Sequence, residues 1–361
     1  MNILIISGIF YPEQTPRTYR TSELAIQFAK LGHKVKIIVP GGDYDFQEYS
    51  KNNNITVQTY KPVNYQKRFS RIPLVQKVVS RLSNILFNYP HITIINHLKE
   101  VLLKENKDYD LLVTIAAPHS VHWTLGLMYR NGIRFAKTWI ADCGDPFMKN
   151  ATEKIKPPFY FGWLEKLWCR SCDFITIPTD TSFQGYYPEF KNKIRVIPQA
   201  FNFDEVVLNF YVKHDVPTFA FSGVFIPGRR DPRPLLDYLL STGKDFKAIF
   251  YTKQNSLFDA YKENFDKIEL RSYIPRLDLL RELSTMDFLL NLENGTSVQT
   301  PSKLIDYALT KRPILSINSQ SIDKNVVDEF LAGNYGSQKA VENIDRFNII
   351  NVANQFINLV K

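Results

Sequence analysis

Residues 1–42, MNILIISGIFYPEQTPRTYRTSELAIQFAKLGHKVKIIVPGG, decide the fold. Ile3 to Ile6 is an apolar run of strand length, suited to a parallel strand buried on both faces. A polar loop, SGIFYPEQTPRTYR, leads into a helical pattern with Leu24, Ala25, Phe28 and Leu31 on one face. Gly32 then supplies the left-handed residue that commonly ends a helix. Val35 to Val39 is a second strand, closed by Pro40-Gly41-Gly42. Strand, helix and strand within about 40 residues form a Rossmann-type half-unit.

The pattern continues outward from there. Further strands are expected at Leu111–Ile115, Lys137–Ala141, Phe174–Ile177 and Ile194–Ile197, which carry a first domain to about Phe201. A second series opens with a strand at Thr218–Ser222, ended by Gly223, and a helix over Pro234–Leu240. Strands at Phe246–Tyr251, Ile268–Arg271, Phe288–Leu290 and Ile314–Ile317 complete it. The spacing predicts an α/β protein of two Rossmann-like domains, 1–201 and 202–340, with parallel sheets facing a central cleft. A last helix over Val341–Val360, in segment 341–361, is placed to pack back on the first domain. A length of 361 residues suits two cores better than one.

Hydrophobic residues make up 44% and charged residues 22%, an ordinary globular composition. No stretch approaches the ~20 apolar residues of a spanning helix. The N-terminus lacks a basic n-region and a small-residue cleavage site, and the three cysteines suggest no secreted disulfide scaffold, so a cytoplasmic setting is expected. The formal charge is +9, and its distribution is uneven. From Asn52 to Lys99 there is no Asp or Glu, yet Lys61, Lys67, Arg68, Arg71, Lys77, Arg81 and Lys99 alternate with apolar residues. Segment 61–99 therefore reads as a basic, apolar surface for the inner leaflet of an anionic membrane; the alternative is that its apolar residues face the core. No fold for reading bases is apparent, so no nucleic acid is expected.

Three weaker signals are set aside. Asp43-Tyr44-Asp45 has the spacing of a metal-binding acid pair, but it follows the second strand in a glycine-rich turn. Cys169 and Cys172, with a distant Cys143, fall short of four zinc ligands. Ser7-Gly8 opens no dinucleotide fingerprint, which argues against a nicotinamide enzyme.

Several segments, in order, resemble the retaining GT-B-fold glycosyltransferases of glycosyltransferase family 4, in a branch of bacterial polysaccharide assembly. They are the opening FYPEQTPRTYRTSELAIQFAKLGHKVKIIV, APHSVHWTLGLMYRNG with WIADCGDPF, IRVIPQAF, FSGVFIPGRRDPRPLL and TPSKLIDYALTKRPIL. The last is similar to the family's donor-site element, Pro-Ser-Lys-Leu-Phe-Glu-Tyr. The resemblance implies transfer of a sugar from a nucleotide diphosphate sugar to a hydroxyl, without metal or other cofactor. It further implies a glycan or lipid-linked glycan acceptor. A nucleotide-sugar epimerase and a catalytically silent sugar-nucleotide-binding subunit are the alternatives.

The donor element also has a direct physical reading. Thr300 is a good N-cap and Pro301 a good first helical residue. A helix N-terminus there offers unpaired N–H groups and a positive dipole end to a diphosphate. Ser302 and Lys303 lie in the first turn, and the resemblance gives Asp306 to a ribose diol. Gly223, Arg229 and Arg230 follow the first strand of the second domain, and Arg230 is the first candidate to stabilise the leaving diphosphate. Arg17 in the opening loop is a further donor-binding candidate, with Arg20 beside it as the alternative. For acceptor chemistry the candidates are His119, Asp142 and Asp145, which follow strands of the first domain. The chain departs from the family at Val298 and Val224, where an acid and an Arg are usual, and lacks the usual loop His.

Overall fold

A computed structural model describes residues 1–64, 72–149, 155–293 and 302–360. In chain order the elements begin β1 (Asn2–Ser7), α1 (Pro16–Lys30), β2 (Lys34–Pro40), α2 (Phe46–Asn53), β3 (Thr56–Tyr60), α3 (Pro73–Phe87) and α4 (Ile94–Leu102). There follow β4 (Tyr109–Ala116), α5 (Ser120–Arg130), β5 (Ala136–Cys143), α6 (Phe161–Ser171), β6 (Phe174–Ile177) and β7 (Ile194–Val196). The second series is β8 (Thr218–Ser222), α7 (Arg233–Ser241), β9 (Lys247–Tyr251), β10 (Ile268–Arg271), α8 (Arg276–Leu283) and β11 (Phe288–Leu292). It closes with α9 (Ser302–Leu309), β12 (Ile314–Ile317), α10 (Lys324–Leu331) and α11 (Ile349–Ile357). Two compact units result, one of residues 1–201 with 346–361 and one of residues 202–345.

The first unit holds a seven-stranded sheet in the order β3-β2-β1-β4-β5-β6-β7, parallel throughout. Alternate residues of β1 feed opposite layers, as a period of two requires. Ile3 and Ile5 pack with Leu24 and Phe28 of α1 and with Val352 and Phe356 of α11. Leu4 and Ile6 pack with Ile94, Leu98, Trp123 and Trp168 from α4, α5 and α6. Gly32 (φ +82°) ends α1 by donating its N–H to Ala29 O. The second unit has a five-stranded sheet, β10-β9-β8-β11-β12, again all parallel. Strand pairs of this kind, with helices in the connections, are the Rossmann-like arrangement expected.

Three expectations need correction. β3 was not anticipated, because TVQTY alternates weakly and sits inside the acid-free stretch. The C-terminal helix is shorter than Val341–Val360: a 3₁₀ turn at Ile344–Phe347 precedes α11, whose Asn348 caps it by accepting from Ile350 N–H. Segment 61–99 is also not one surface. Ile94, Leu98 and Leu102 of α4 are core residues, whereas no residue of α3 is buried. Lys67, Arg68 and Arg71 lie outside the described residues. No helix among the described residues is long and apolar enough to cross a membrane.

Candidate functional site

In the second unit the site is built where β8 ends. Gly223 has φ +136°, and a Cβ there would collide with Lys303 Nζ, so the tight turn and the lysine's position both require glycine. After Phe225, which stacks on Phe221 at 4.6 Å, residues 226–230 form a hairpin closed by the Ile226 N–H donating to Arg230 O at 3.1 Å. Gly228 takes the positive φ (+75°) that turn needs. Arg229 is exposed, whereas Arg230 is half-buried and its Nε has no partner. Arg233, the neighbouring cation, is committed to Asp231.

α9 is tied to this turn from below. The Tyr307 hydroxyl, fully buried, accepts from the Ser222 N–H at 2.9 Å. Lys303, in the first turn of α9, lies over the Phe221 ring with Nζ 4.0 Å from its centroid. Burial, and then the charge of Arg230, lower the Lys303 ammonium to about 7. No carboxylate pairs with either cation among the described residues. Asp306 accepts from Arg276 Nε and Nη2 on one oxygen, at 2.9 and 2.6 Å. Burial raises its carboxyl and Arg276 opposes that rise. Thr300 and the side chain of Ser302 lie outside the described residues, as does Val298.

In the first unit α1, β5 and β6 converge on one charged knot. Asp142, expected to act on an acceptor hydroxyl, is instead closed off. One of its oxygens takes Arg17 Nη1 at 3.1 Å and Arg20 Nε at 3.2 Å. The other takes Arg20 Nη2 at 2.9 Å and the Thr176 hydroxyl at 2.7 Å. With those bonds made and 1% of its surface exposed, Asp142 is the anchor of two guanidiniums, not an open base. Arg17 also reaches Gln199 at 3.3 Å, and its guanidinium lies against Gly144. Asp145 is exposed, two residues beyond the strand end. His119 is buried, and desolvation lowers its imidazole to about 4.

The glycine after β1 serves packing: a Cβ on Gly8 would strike the Pro118 ring. Asp45 caps α2 by accepting from the Gln47 and Glu48 N–H groups, which accounts for that acid without a metal. Sequence reasoning missed Arg276 and Tyr307. Arg20 was within reach, as the alternative to Arg17 in the opening loop, though its bond to Asp142 was not foreseen. Arg276 was not, because its partner is 30 residues away in the chain.

No protein-family model matches the chain, and no curated protein matches it by sequence. Solved structures do. The apo form of WaaB, a lipopolysaccharide outer core galactosyltransferase, is similar with TM-score 0.60 and 12% identity, covering 100% of this chain and 99% of that one. TarM is similar with TM-score 0.59 and 11% identity, over 100% and 98% of the two chains. S. aureus MnaA in its structure with UDP gives TM-score 0.52 and 11% identity, over 99% and 95%. At such identities the likeness shows the fold, which is the GT-B arrangement of two Rossmann-like domains.

Proposed function

We propose that this protein is a glycosyltransferase that moves a sugar from a nucleoside diphosphate donor to a hydroxyl acceptor. The observation that carries the reading is the pair Lys303 and Arg230, two partly desolvated cations beside a glycine turn with no carboxylate of their own among the described residues. Cations brought together out of water are costly unless an anion joins them. A diphosphate supplies that anion, and a helix N-terminus adds N–H groups to it. As the glycosidic bond breaks, charge grows on the leaving diphosphate, and preorganised cations lower that barrier. In this reading Arg229, Gly223, Thr300 and Ser302 line the diphosphate, and Asp306 accepts from the ribose hydroxyls once Arg276 shares it. Asp145 and His119 attend the acceptor, and Arg17, anchored by Asp142, presents charge to the donor. Retention of configuration, metal independence and a lipid-linked glycan acceptor complete the proposal, and rest on the resemblance.

Incubating the protein with a panel of sugar nucleotides tests this, with thermal stabilisation as a first readout, because a ligand bound to the folded state raises its stability by mass action. One sugar nucleotide should stabilise the protein and release its nucleotide only when acceptor is added. A new sugar nucleotide formed without acceptor would make it an epimerase, and binding without release under any acceptor would make it a silent subunit.

The exposed helix α3 supports docking on an anionic leaflet. Leu74, Val75, Val78, Leu82 and Leu86 fall at helical spacing and are all exposed, with Leu74 at 73%. Lys77 and Arg81 lie among them. Phe159 and Trp163 are exposed on a neighbouring stretch, whose Tyr160 hydroxyl donates to Leu86 O. An apolar stripe with basic flanks suits the bilayer interface.

A further inference from the structure

We propose that His119, His122 and Cys143 bind a divalent transition metal of the zinc class within the first unit. The inference uses none of the donor-site residues, and it takes His119, given above to the acceptor, as a metal ligand instead. Cys143 is the last residue of β5, His119 directly precedes α5, and His122 lies in the first turn of that helix. The sequence separates Cys143 from the histidines, and the parallel pairing of β4 with β5 brings them together. One ligand atom from each residue lies within 4.8 Å of the other two. His122 Nε2 and Cys143 Sγ are 3.3 Å apart. Zinc–nitrogen bonds of about 2.0 Å and zinc–sulfur bonds of about 2.3 Å place tetrahedral ligands roughly 3.3–3.6 Å apart. The His122–Cys143 pair already meets that spacing, and the His119 ring need move by only about an ångström.

The surroundings point to a ligand. His122 and Cys143 are wholly buried and His119 nearly so. The His119 and His122 rings each hydrogen-bond a backbone group, of Asp145 and Asp142, the outer contact that orients a ligating imidazole. Zinc takes the Cys143 sulfur as thiolate, so loading must expel the thiol proton to solvent, as a coordinated metal does. The Tyr186 hydroxyl interacts with the same sulfur, which leaves the fourth position to it or to water. Cys143 sits between Asp142 and Gly144, so a metal here would fix the strand end that holds Arg17.

Cys169 and Cys172 are the rival ligands, both buried and reduced. The full chain, purified without chelator or polyhistidine tag and dialysed against micromolar Zn²⁺, should retain about one zinc per chain by plasma mass spectrometry. Co²⁺ in its place should show a thiolate-to-cobalt charge-transfer band. Cys143→Ser, nearly isosteric, should lose the band and fall below roughly a fifth of the wild-type metal content. His122→Gln should also lose metal, whereas the Cys169→Ser/Cys172→Ser double variant should keep both metal and band. Wild-type protein that retains no metal after dialysis overturns the proposal. So does full retention in Cys143→Ser, or loss in the double variant alone. If Cys143→Ser fails to fold, the cobalt band of the wild type, and its removal by chelator, decides the matter.

Discussion

Both units gather cations near the ends of their strands, but only one of them brings its own anion. In the first, Arg17 and Arg20 share Asp142, whose oxygens are also bonded to Thr176, and the set is almost sealed from water. In the second, Lys303 and Arg230 lie together beneath the Gly223 turn, and no carboxylate answers them among the described residues. A buried cation with a built-in partner holds the fold. A buried pair without one holds a place for an anion that arrives with a ligand. Arg230 and Lys303 are only half-buried, and it is the balance of charge that tells structure from site.

That contrast breaks most sharply at Asp142. Removing one partner of a buried ion pair leaves the other uncompensated, at a cost of about 3–5 kcal/mol. Asp142→Ala should destabilise the first unit by that amount. All four tryptophans, Trp123, Trp139, Trp163 and Trp168, belong to this unit, so indole fluorescence during urea unfolding reports on it alone. A variant as stable as the wild type would mean that Asp142 is a site residue after all, merely resting on the arginines.

Lys303 should behave in the opposite way. Lys303→Met removes a charge the fold does not need, so stability without ligand should hold or rise near pH 7. The sign follows from the ammonium's fall from 10.5 to about 7. Between those values the unfolded chain binds more protons, so this group makes the wild type more stable as pH rises through the window. The variant should lack that rise. Its affinity for a nucleoside diphosphate should drop roughly ten- to hundredfold, the loss of a charge-assisted bond worth ~1.5–3 kcal/mol. Arg230→Ala should lower turnover more than binding, since its contribution grows in the transition state. Calorimetry of binding alongside nucleotide release separates the two.

Asp306 tests the same unit more gently. Asp306→Ala should weaken donor binding roughly tenfold, the low end of the range for a charged hydrogen-bond partner, because this carboxylate already serves Arg276. Unchanged affinity would remove the nucleotide from α9, whatever Lys303 shows.

How much of this was legible follows from the range of each interaction. β8 and β12 end where the sequence placed them, because apolar runs between breakers mark buried parallel strands. β3 escaped, since Thr56, Gln58 and Thr59 dilute its apolar signal at the sheet edge. Lys303 and Arg230 were visible as motif residues, but their shared lack of an anion was not. That property depends on what the rest of the fold does not bring near. Asp142 was misjudged for the same reason: its spacing after β5 was right for a site, and only the fold brings Arg17 and Arg20 to it.

The basic helix α3 offers a third case, in which positive charge stays in water. Lys77 and Arg81 are exposed, so salt should screen them, unlike Arg20 or Lys303. Each basic residue near an anionic surface contributes about 1 kcal/mol, or roughly fivefold in partition. Replacing Lys77 and Arg81 with Gln should therefore reduce co-sedimentation with phosphatidylserine vesicles by about 25-fold at low salt and leave folding untouched. Replacing Leu74, Val78 and Leu82 with Ser should weaken binding at every salt concentration, because burial of apolar surface is not screened. If both sets lose binding only at low salt, the apolar stripe does not enter the bilayer and the docking is electrostatic alone. If neither set changes sedimentation of the folded protein, the membrane is not what α3 meets.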